Sequence, residues 1–450
     1  MEKIQGIIHS TMSTTAGISA LKFLNGIGRQ RSFGPRILTQ FMGKFLHTKQ
    51  GEHQTMQHVK ERLVEHMGVS QGYKPLQMQR SHLLDMLPCS QSELPIRAPS
   101  DSFDSAIIPL SSSPSLQEKY ITFLGHVRTG RLMEDMDLFA VWVAHKHILN
   151  PRQKEGMPTP YVLVTVLVDQ INFEDIIPKP DCDIRLSGHV SWVGRSSIEI
   201  TVWLEQEYIG TWQRLTRATF LMAARDPTGH GPAIVNALEP VTPEEKARYN
   251  YGEMNKKRRT AVQRASLLKT GPSAEEQAII HELFLQTVDP KDTTFHRRIL
   301  PMHAMWMEEA TLTNIVFCHP EDRNLHNKVF GGFLMRQALE LSWAAGYLYS
   351  KFRPKLCHIS DIGFHKPVDV GSLLRLKAFV NYTESNYLQI VCHAEVFDPR
   401  TGQHNTTNQF HYTYETPDQV PKLYPKTYDE AMMYLDGRRH FQHVMGLSGK

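Results

Sequence analysis

Gly130-Arg-Leu132-Met133 returns 202 residues later as Gly332-Phe-Leu334-Met335, and the reading of the chain starts from this recurrence. Behind it, Leu132, Met136, Phe139 and Val143 recur as Leu334, Ala338, Leu341 and Ala345 at the same offset. Steps of four, three and four put these positions on one apolar face of a helix several turns long, so the same helix is predicted twice.

A second register follows at an offset of 190, where Ile184-Arg-Leu186 matches Leu374-Arg-Leu376, Val190 matches Val380, and Ile198 and Ile200 match Leu388 and Ile390. These stretches alternate apolar and polar residues and are rich in Val, Ile, Tyr and Trp, which predicts antiparallel strands. A further strand is expected between each helix and its strands, over Val162 to Asp169 and over Leu356 to Phe364, with turns at Gly194 and Glu384–Asn386. Each unit of about 110–130 residues is thus a long helix followed by antiparallel strands. The expected fold class is α+β, present in tandem, the two units pairing like subunits of a symmetric dimer.

Composition agrees. At roughly 150 residues per domain, 450 residues allow about three domains, or two with appendages. The 41% hydrophobic and 21% charged content is that of a globular chain. The apolar run Tyr161–Val168 is far shorter than the ~18 residues of a membrane span, so a soluble protein is expected. The net charge of +4 is uneven: residues 1–50 hold seven basic side chains and one acidic, leaving 43 basic and 45 acidic in the rest. A nearly neutral body gives no reason to expect nucleic-acid binding. The leader, with Ser10, Thr11, Ser13, Thr14, Thr15, Ser19 and Ser32 among its bases, has the character of a mitochondrial import peptide removed past Arg31; a disordered basic tail is the alternative.

Five scattered cysteines without C-x-x-C argue against a disulfide framework and a structural zinc, and most are expected to be buried as small apolar residues. His145 and His147, two apart on a helix, would not face one site, and no metal is expected. The run Lys256-Lys-Arg-Arg259 is read as a solvated helix face, with an import signal or phosphate patch as alternatives.

Absences exclude several chemistries, since there is no G-x-S-x-G elbow and no G-x-x-x-x-G-K-[ST] loop, and Gly26-x-Gly28-x-x-Arg31 fails the dinucleotide pattern. Carboxylate and amide chemistry remains. Asn324 precedes the second helix, whose entrance is Gly331-Gly332. Glycines there let a ligand approach outward-facing N–H groups and the helix dipole, which polarise a carbonyl oxygen. Equally, the glycines only allow close packing and Asn324 only makes a turn. In the first helix Glu134 and Asp135 complement the dipole, but Asp137, two turns in, has no such explanation. Its counterpart is Leu339, and the counterpart of Asn324 is Thr122, so each half keeps what the other lacks. One composite site is expected from the pair.

The runs Phe123–Asp137, Ser187–Glu199, Asn324–Met335, Phe364–Gly371 and Lys426–Gly437 resemble the mitochondrial acyl-coenzyme A thioesterases with two hotdog domains, a likeness over roughly residues 55–445. The resemblance implies tandem hotdog domains forming an intramolecular pseudo-dimer that hydrolyses acyl-CoA to a carboxylic acid and CoA without a cofactor, and further assembly into a homo-oligomer. It divides the chain into a leader (1–45), a helical extension (46–100), a first hotdog domain (101–241), a helical linker (242–299), a second hotdog domain (300–416) and a tail (417–450). It makes Asp137 the base or nucleophile, Asn324 the group that orients water or substrate, and the Gly331 and Gly332 amides the donors to the thioester carbonyl. Arg195 and Ser196 fall where a strand edge nears CoA, though a plain turn explains them equally. Glu340, one residue past Leu339, keeps a second site open. The rivals are an acyl-CoA-binding or scaffold protein, and an enoyl-CoA hydratase, for which Asp322-Arg-Asn324-Leu-His326 lacks the proline and is one residue short.

Overall fold

Both predicted helices form in the computed structural model, which describes residues 54–67, 80–154, 156–169, 171–172, 178–291, 297–324, 328–360 and 362–446. The basic leader lies outside the described residues. Helices are α1 (Met56–Met67), α2 (Pro99–Ser102), α3 (Pro114–Tyr120), α4 (Thr129–His147), α5 (Pro243–Ala265), α6 (Ala274–Leu285), α7 (Gly331–Ser350) and α8 (Tyr428–Val444). The first copy's strands are β1 (Asp104–Ile108), β2 (Val162–Val168), β3 (Ile171–Asn172), β4 (Ile184–Val193), β5 (Ser197–Tyr208) and β6 (Thr211–Arg225). The second copy follows with β7 (Ala304–Trp306), β8 (Thr311–Phe317), β9 (Lys355–Ile359), β10 (Ile362–Phe364), β11 (Leu373–Glu384), β12 (Tyr387–Phe397), β13 (His404–Glu415) and β14 (Lys422–Tyr424).

One sheet runs through both copies in the order β1-β4-β5-β6-β2-β10-β13-β12-β11-β8, which reads the same from either edge once copies are matched. The seam is the antiparallel pair β2–β10, with Val168 opposite Ile362, extended by β3–β9. Each half is a hotdog: α4 lies along the first half of the sheet and α7 along the second, their predicted stripes buried against it. Phe139, Val143 and Ala140 are wholly buried, as are Met335 and Ala338. Burial of each large apolar side chain contributes about 1.5–3 kcal/mol, which fixes which face of each helix turns inward.

The helices cross antiparallel on the pseudo-dyad, and the repeated glycines are the reason they come so close. A Cβ at Gly332 would stand 2.7 Å from the Cα of Glu134, and one at the matching Gly130 would stand 2.9 Å from Cγ of Arg336. Glu134 and Arg336, themselves equivalent positions, close the contact with an Nε–Oε1 distance of 2.7 Å. Glu134 therefore ties the two halves together and does not compensate a helix dipole. Asp135 likewise is buried, accepting from the Tyr120 hydroxyl and pairing with Lys60 of α1 at 3.3 Å.

The segment read as a linker is part of the repeat. In both halves a β-bulge breaks the register at matching places, between Val190 and Trp192 and between Val380 and Tyr382. The bulges present Trp192 to α5 and Tyr382 to α8, each meeting a helix glycine: a Cβ at Gly252 would lie 2.6 Å from that of Trp192, and one at Gly437 2.9 Å from that of Tyr382. Both helices begin with a reciprocal Thr–Glu capping box, Thr242 with Glu245 and Thr427 with Glu430. The tail is thus a 17-residue helix on the sheet's outer face, the counterpart of α5.

Two further expectations are corrected. Lys256–Arg259 is only partly a solvated face, because Arg259 reaches the sheet to pair with buried Glu199 at 2.9 Å and Arg258 pairs with Asp169. Of the cysteines, Cys318 and Cys392 are buried, whereas Cys182 and Cys357 are half-buried and Cys89 is exposed; none of the five is in a disulfide.

Candidate active site

The third turn of α4 brings Asp137 to the entrance of α7. Its Oδ2 accepts the Gly332 N–H at 2.9 Å and its Oδ1 accepts the Thr165 hydroxyl at 2.7 Å. The carboxylate is 1% exposed. Burial pushes its pKa up to about 6, against the opposing pull of the Thr165 and Gly332 hydrogen bonds. Such a group is ionised at neutral pH yet retains affinity for a proton.

Thr165 escaped the sequence analysis, although it is the one hydroxyl in the apolar strand Val162-Leu-Val-Thr-Val-Leu-Val168. A bulge in β2 between Thr165 and Leu167 accompanies the aim of its side chain at Asp137. Its hydroxyl lowers the Asp137 pKa, so Thr165→Val should move the acid limb of the kcat/KM–pH profile above 6, as a stopped assay across pH 5–8 would show.

Asn324 and Asp137 line the same cavity, of about 1190 Å³, together with Gly331, Phe330, Phe364 and Arg131. The Asn324 N–H donates to the Lys328 carbonyl at 2.6 Å, and its Oδ1 accepts the Lys328 N–H at 3.1 Å. Thr122 makes the matching turn with His126. The turn is common to both halves, and only the second carries an amide that also offers NH₂ donors. Gly332 is corrected in role: its N–H is committed to Asp137, while Gly331 lines the cavity at the helix entrance.

Arg195 and Ser196 are not brought to the cavity. They form the β4–β5 turn, where the Arg195 carbonyl accepts from Val235 and the Ser196 carbonyl from Ala224. This hairpin end packs on the loop after β6. Glu340 is half exposed and paired with Arg128 across the dyad and with Arg336 at 3.7 Å. With Leu339 buried at the acidic position, the second location has an ion pair in place of a base. Glu340→Gln should leave kcat within about two-fold of wild type, since an exposed ion pair contributes little. His145 lines the cavity whereas His147 turns away to the Asn236 carbonyl at 2.9 Å, so the two face different surroundings.

No protein-family model matches the chain. Among curated proteins it is 44% identical over 391 residues to acyl-coenzyme A thioesterase 9, mitochondrial, of Homo sapiens, covering 86% of this chain and 88% of that one. This chain belongs to the mitochondrial acyl-coenzyme A thioesterase family. It is 30% identical over 368 residues to acyl-coenzyme A thioesterase 4, mitochondrial, of Humulus lupulus, covering 78% and 68%. Among solved structures it is similar to an acyl-CoA hydrolase from Staphylococcus aureus, at 21% identity with a TM-score of 0.31 over 32% of this chain and 91% of that one. It is also similar to an acyl-ACP thioesterase from Bacteroides thetaiotaomicron, at 10% identity with a TM-score of 0.41 over 71% and 100%.

Proposed function

We propose that this thioesterase hydrolyses acyl-CoA at one composite site, with Asp137 of the first hotdog acting as general base opposite the α7 entrance of the second. The observation that carries the reading is the Asp137 carboxylate, buried yet held by Gly332 and Thr165 at a pKa of about 6. Asp137 takes a proton from water as the oxygen bonds to the thioester carbon. The carbonyl oxygen gains negative charge facing the Gly331 N–H, the positive end of α7 and the Asn324 NH₂. Collapse breaks the C–S bond, and the departing CoA thiolate recovers the proton from Asp137, giving carboxylic acid and CoA.

Family membership makes the chain a mitochondrial thioester hydrolase, which sets aside the scaffold and hydratase readings. Residence in the matrix and assembly into homo-oligomers belong to the proposal. Among the described residues no helix is long and apolar enough to cross a membrane.

One turnover in ¹⁸O-labelled water, with rapid-quench mass spectrometry for an acyl group on Asp137, separates base from nucleophile. As base, Asp137 is never acylated and stays unlabelled while the acid product gains the label; an acylated Asp137, or label in its carboxylate after a single turnover, would establish an anhydride instead. With free enzyme, kcat/KM should rise with pH through about 6 as Asp137 ionises, and a profile flat from pH 5 to 8 would remove Asp137 from the base role.

A further inference from the structure

Arg80 takes no part in the proposed catalysis. Its side chain lines the cavity, is 7% exposed, and donates one Nη to the carbonyl of Thr159, just ahead of β2. Among the described residues its buried Nε has no hydrogen-bond partner. No carboxylate among the described residues pairs with it. Removing a guanidinium from water without an anion is unfavourable by several kcal/mol, so such a group is either relieved by a ligand or held at a standing cost.

Its position gives that ligand a place. Along α4 the cavity wall runs Asp137, Val141, His145, eight residues or roughly 12 Å of helix. Along β2 it runs in the same sense from Thr165, beside Asp137, to Val162, and Thr159 lies beyond. Arg225, opposite Val162 in the ladder, also lines the cavity and also has no carboxylate partner among the described residues. Between the ends the walls are apolar, with Leu63, Val64 and Met67 of α1 facing Val141 and Val164. Among the acids nearer the reaction centre, Glu134 is engaged by Arg131 and Arg336 and Asp135 by Lys60, while Glu321 and Asp322 line the cavity beside Asn324, at the end away from Arg80.

A carboxylate at one end and unpaired guanidiniums at the other, with an apolar passage between, match one kind of acyl group. Resting on the hydrolase reading above, we propose that the site accepts dicarboxylic acyl-CoA, the thioester lying at Asp137 and the free terminal carboxylate docking on Arg80 at the far end of the acyl passage. A phosphate of CoA is the other anion the enzyme meets, and inhibition by free CoA tells the two apart.

The test compares suberoyl-CoA with octanoyl-CoA, which share a chain length and differ in the terminal carboxylate, on the full chain and on Arg80→Met and Arg80→Lys. The wild type should cleave suberoyl-CoA at a kcat/KM no lower than that for octanoyl-CoA. Arg80→Met should lose roughly ten- to a hundred-fold on suberoyl-CoA alone, the loss expected for one charge-assisted hydrogen-bond partner, with partial return in Arg80→Lys. The proposal is overturned if the wild type discriminates ten-fold against suberoyl-CoA, or if Arg80→Met weakens both thioesters and inhibition by free CoA alike, the mark of a phosphate contact. Should Arg80→Met fail to fold, the wild-type comparison and Arg80→Lys decide. Should neither thioester be cleaved, the hydrolase reading fails, and this one then stands only if suberoyl-CoA raises the melting temperature more than octanoyl-CoA does.

Discussion

Asp137→Asn lowers kcat for acyl-CoA hydrolysis by roughly 10²–10⁴-fold, the usual contribution of a positioned general base. The fold should survive. The amide oxygen can still accept the Gly332 N–H, and the amide NH₂ can donate to Thr165, whose hydroxyl rotates to accept. The variant should also be more stable than wild type at neutral pH. A carboxyl raised from 3.8 to about 6 by burial binds its proton more tightly in the native state. Native stability therefore falls as pH rises from about 3.8 to 6, and the deficit persists above 6. Thermal denaturation at pH 7.5 and at pH 3.5 checks this: the variant's advantage should be present at the first and gone at the second. Retained turnover in Asp137→Asn would move the base elsewhere.

Gly332→Ala is expected to damage both fold and rate, whereas the matching Gly130→Ala should cost less stability and leave the rate nearer wild type. The added methyl at Gly332 meets the backbone of Glu134, which cannot move aside without shifting α4. Overpacking of that kind costs about 1–3 kcal/mol, more than the ~1 kcal/mol that alanine gains over glycine in a helix. Because the displaced N–H is the one that holds Asp137, kcat should fall by about 10²-fold as well. At Gly130 the tightest contact is Cγ of Arg336 at 2.9 Å, with its Cα and Cβ at 3.3 Å, so the methyl presses on an ion-paired side chain more than on backbone. Denaturant midpoints and kcat for the two variants, side by side, measure the difference. Equal effects would mean that helix separation, and not the Gly332 contact with Asp137, limits the rate.

Much of this was legible in the sequence because it lies in regular elements. Apolar spacing carried the paired helices, alternation carried the strands, and a carboxylate on an apolar helix without a charge partner in sequence carried Asp137. Contacts across the pseudo-dyad were not legible. Nothing in the spacing shows that Gly332 donates to Asp137, or that Glu134 pairs with Arg336 and not with its own helix dipole, because these depend on how the two helices cross. The surroundings of the β4–β5 turn are not legible either, since a Gly-Arg-Ser-Ser run looks the same whether it faces a ligand or a neighbouring loop. A stronger signal was missed. Pro240, Thr242, Glu245, Tyr249 and Gly252 recur as Pro425, Thr427, Glu430, Tyr434 and Gly437, an offset of 185. It was obscured by position, one copy following the first unit and the other ending the chain.

The three offsets, 202 at the central helices, 190 at the strands and 185 at the outer helices, form a descending series. Each step down is chain that one copy has and the other has not. Most of the first step lies directly after the central helix, where fourteen residues, 148–161, join α4 to β2, while four, 351–354, join α7 to β9. The longer connection contains Thr159, whose carbonyl holds Arg80. In a homodimer any lengthening of this loop appears twice, at both symmetry-related places. Within one chain that obligation is absent, and the connection whose length differs is the one leading into β2, whose Thr165 holds Asp137. Covalent linkage of the two halves thus permits asymmetry: the half that carries the acid has surroundings of its own while the other half keeps the shorter path.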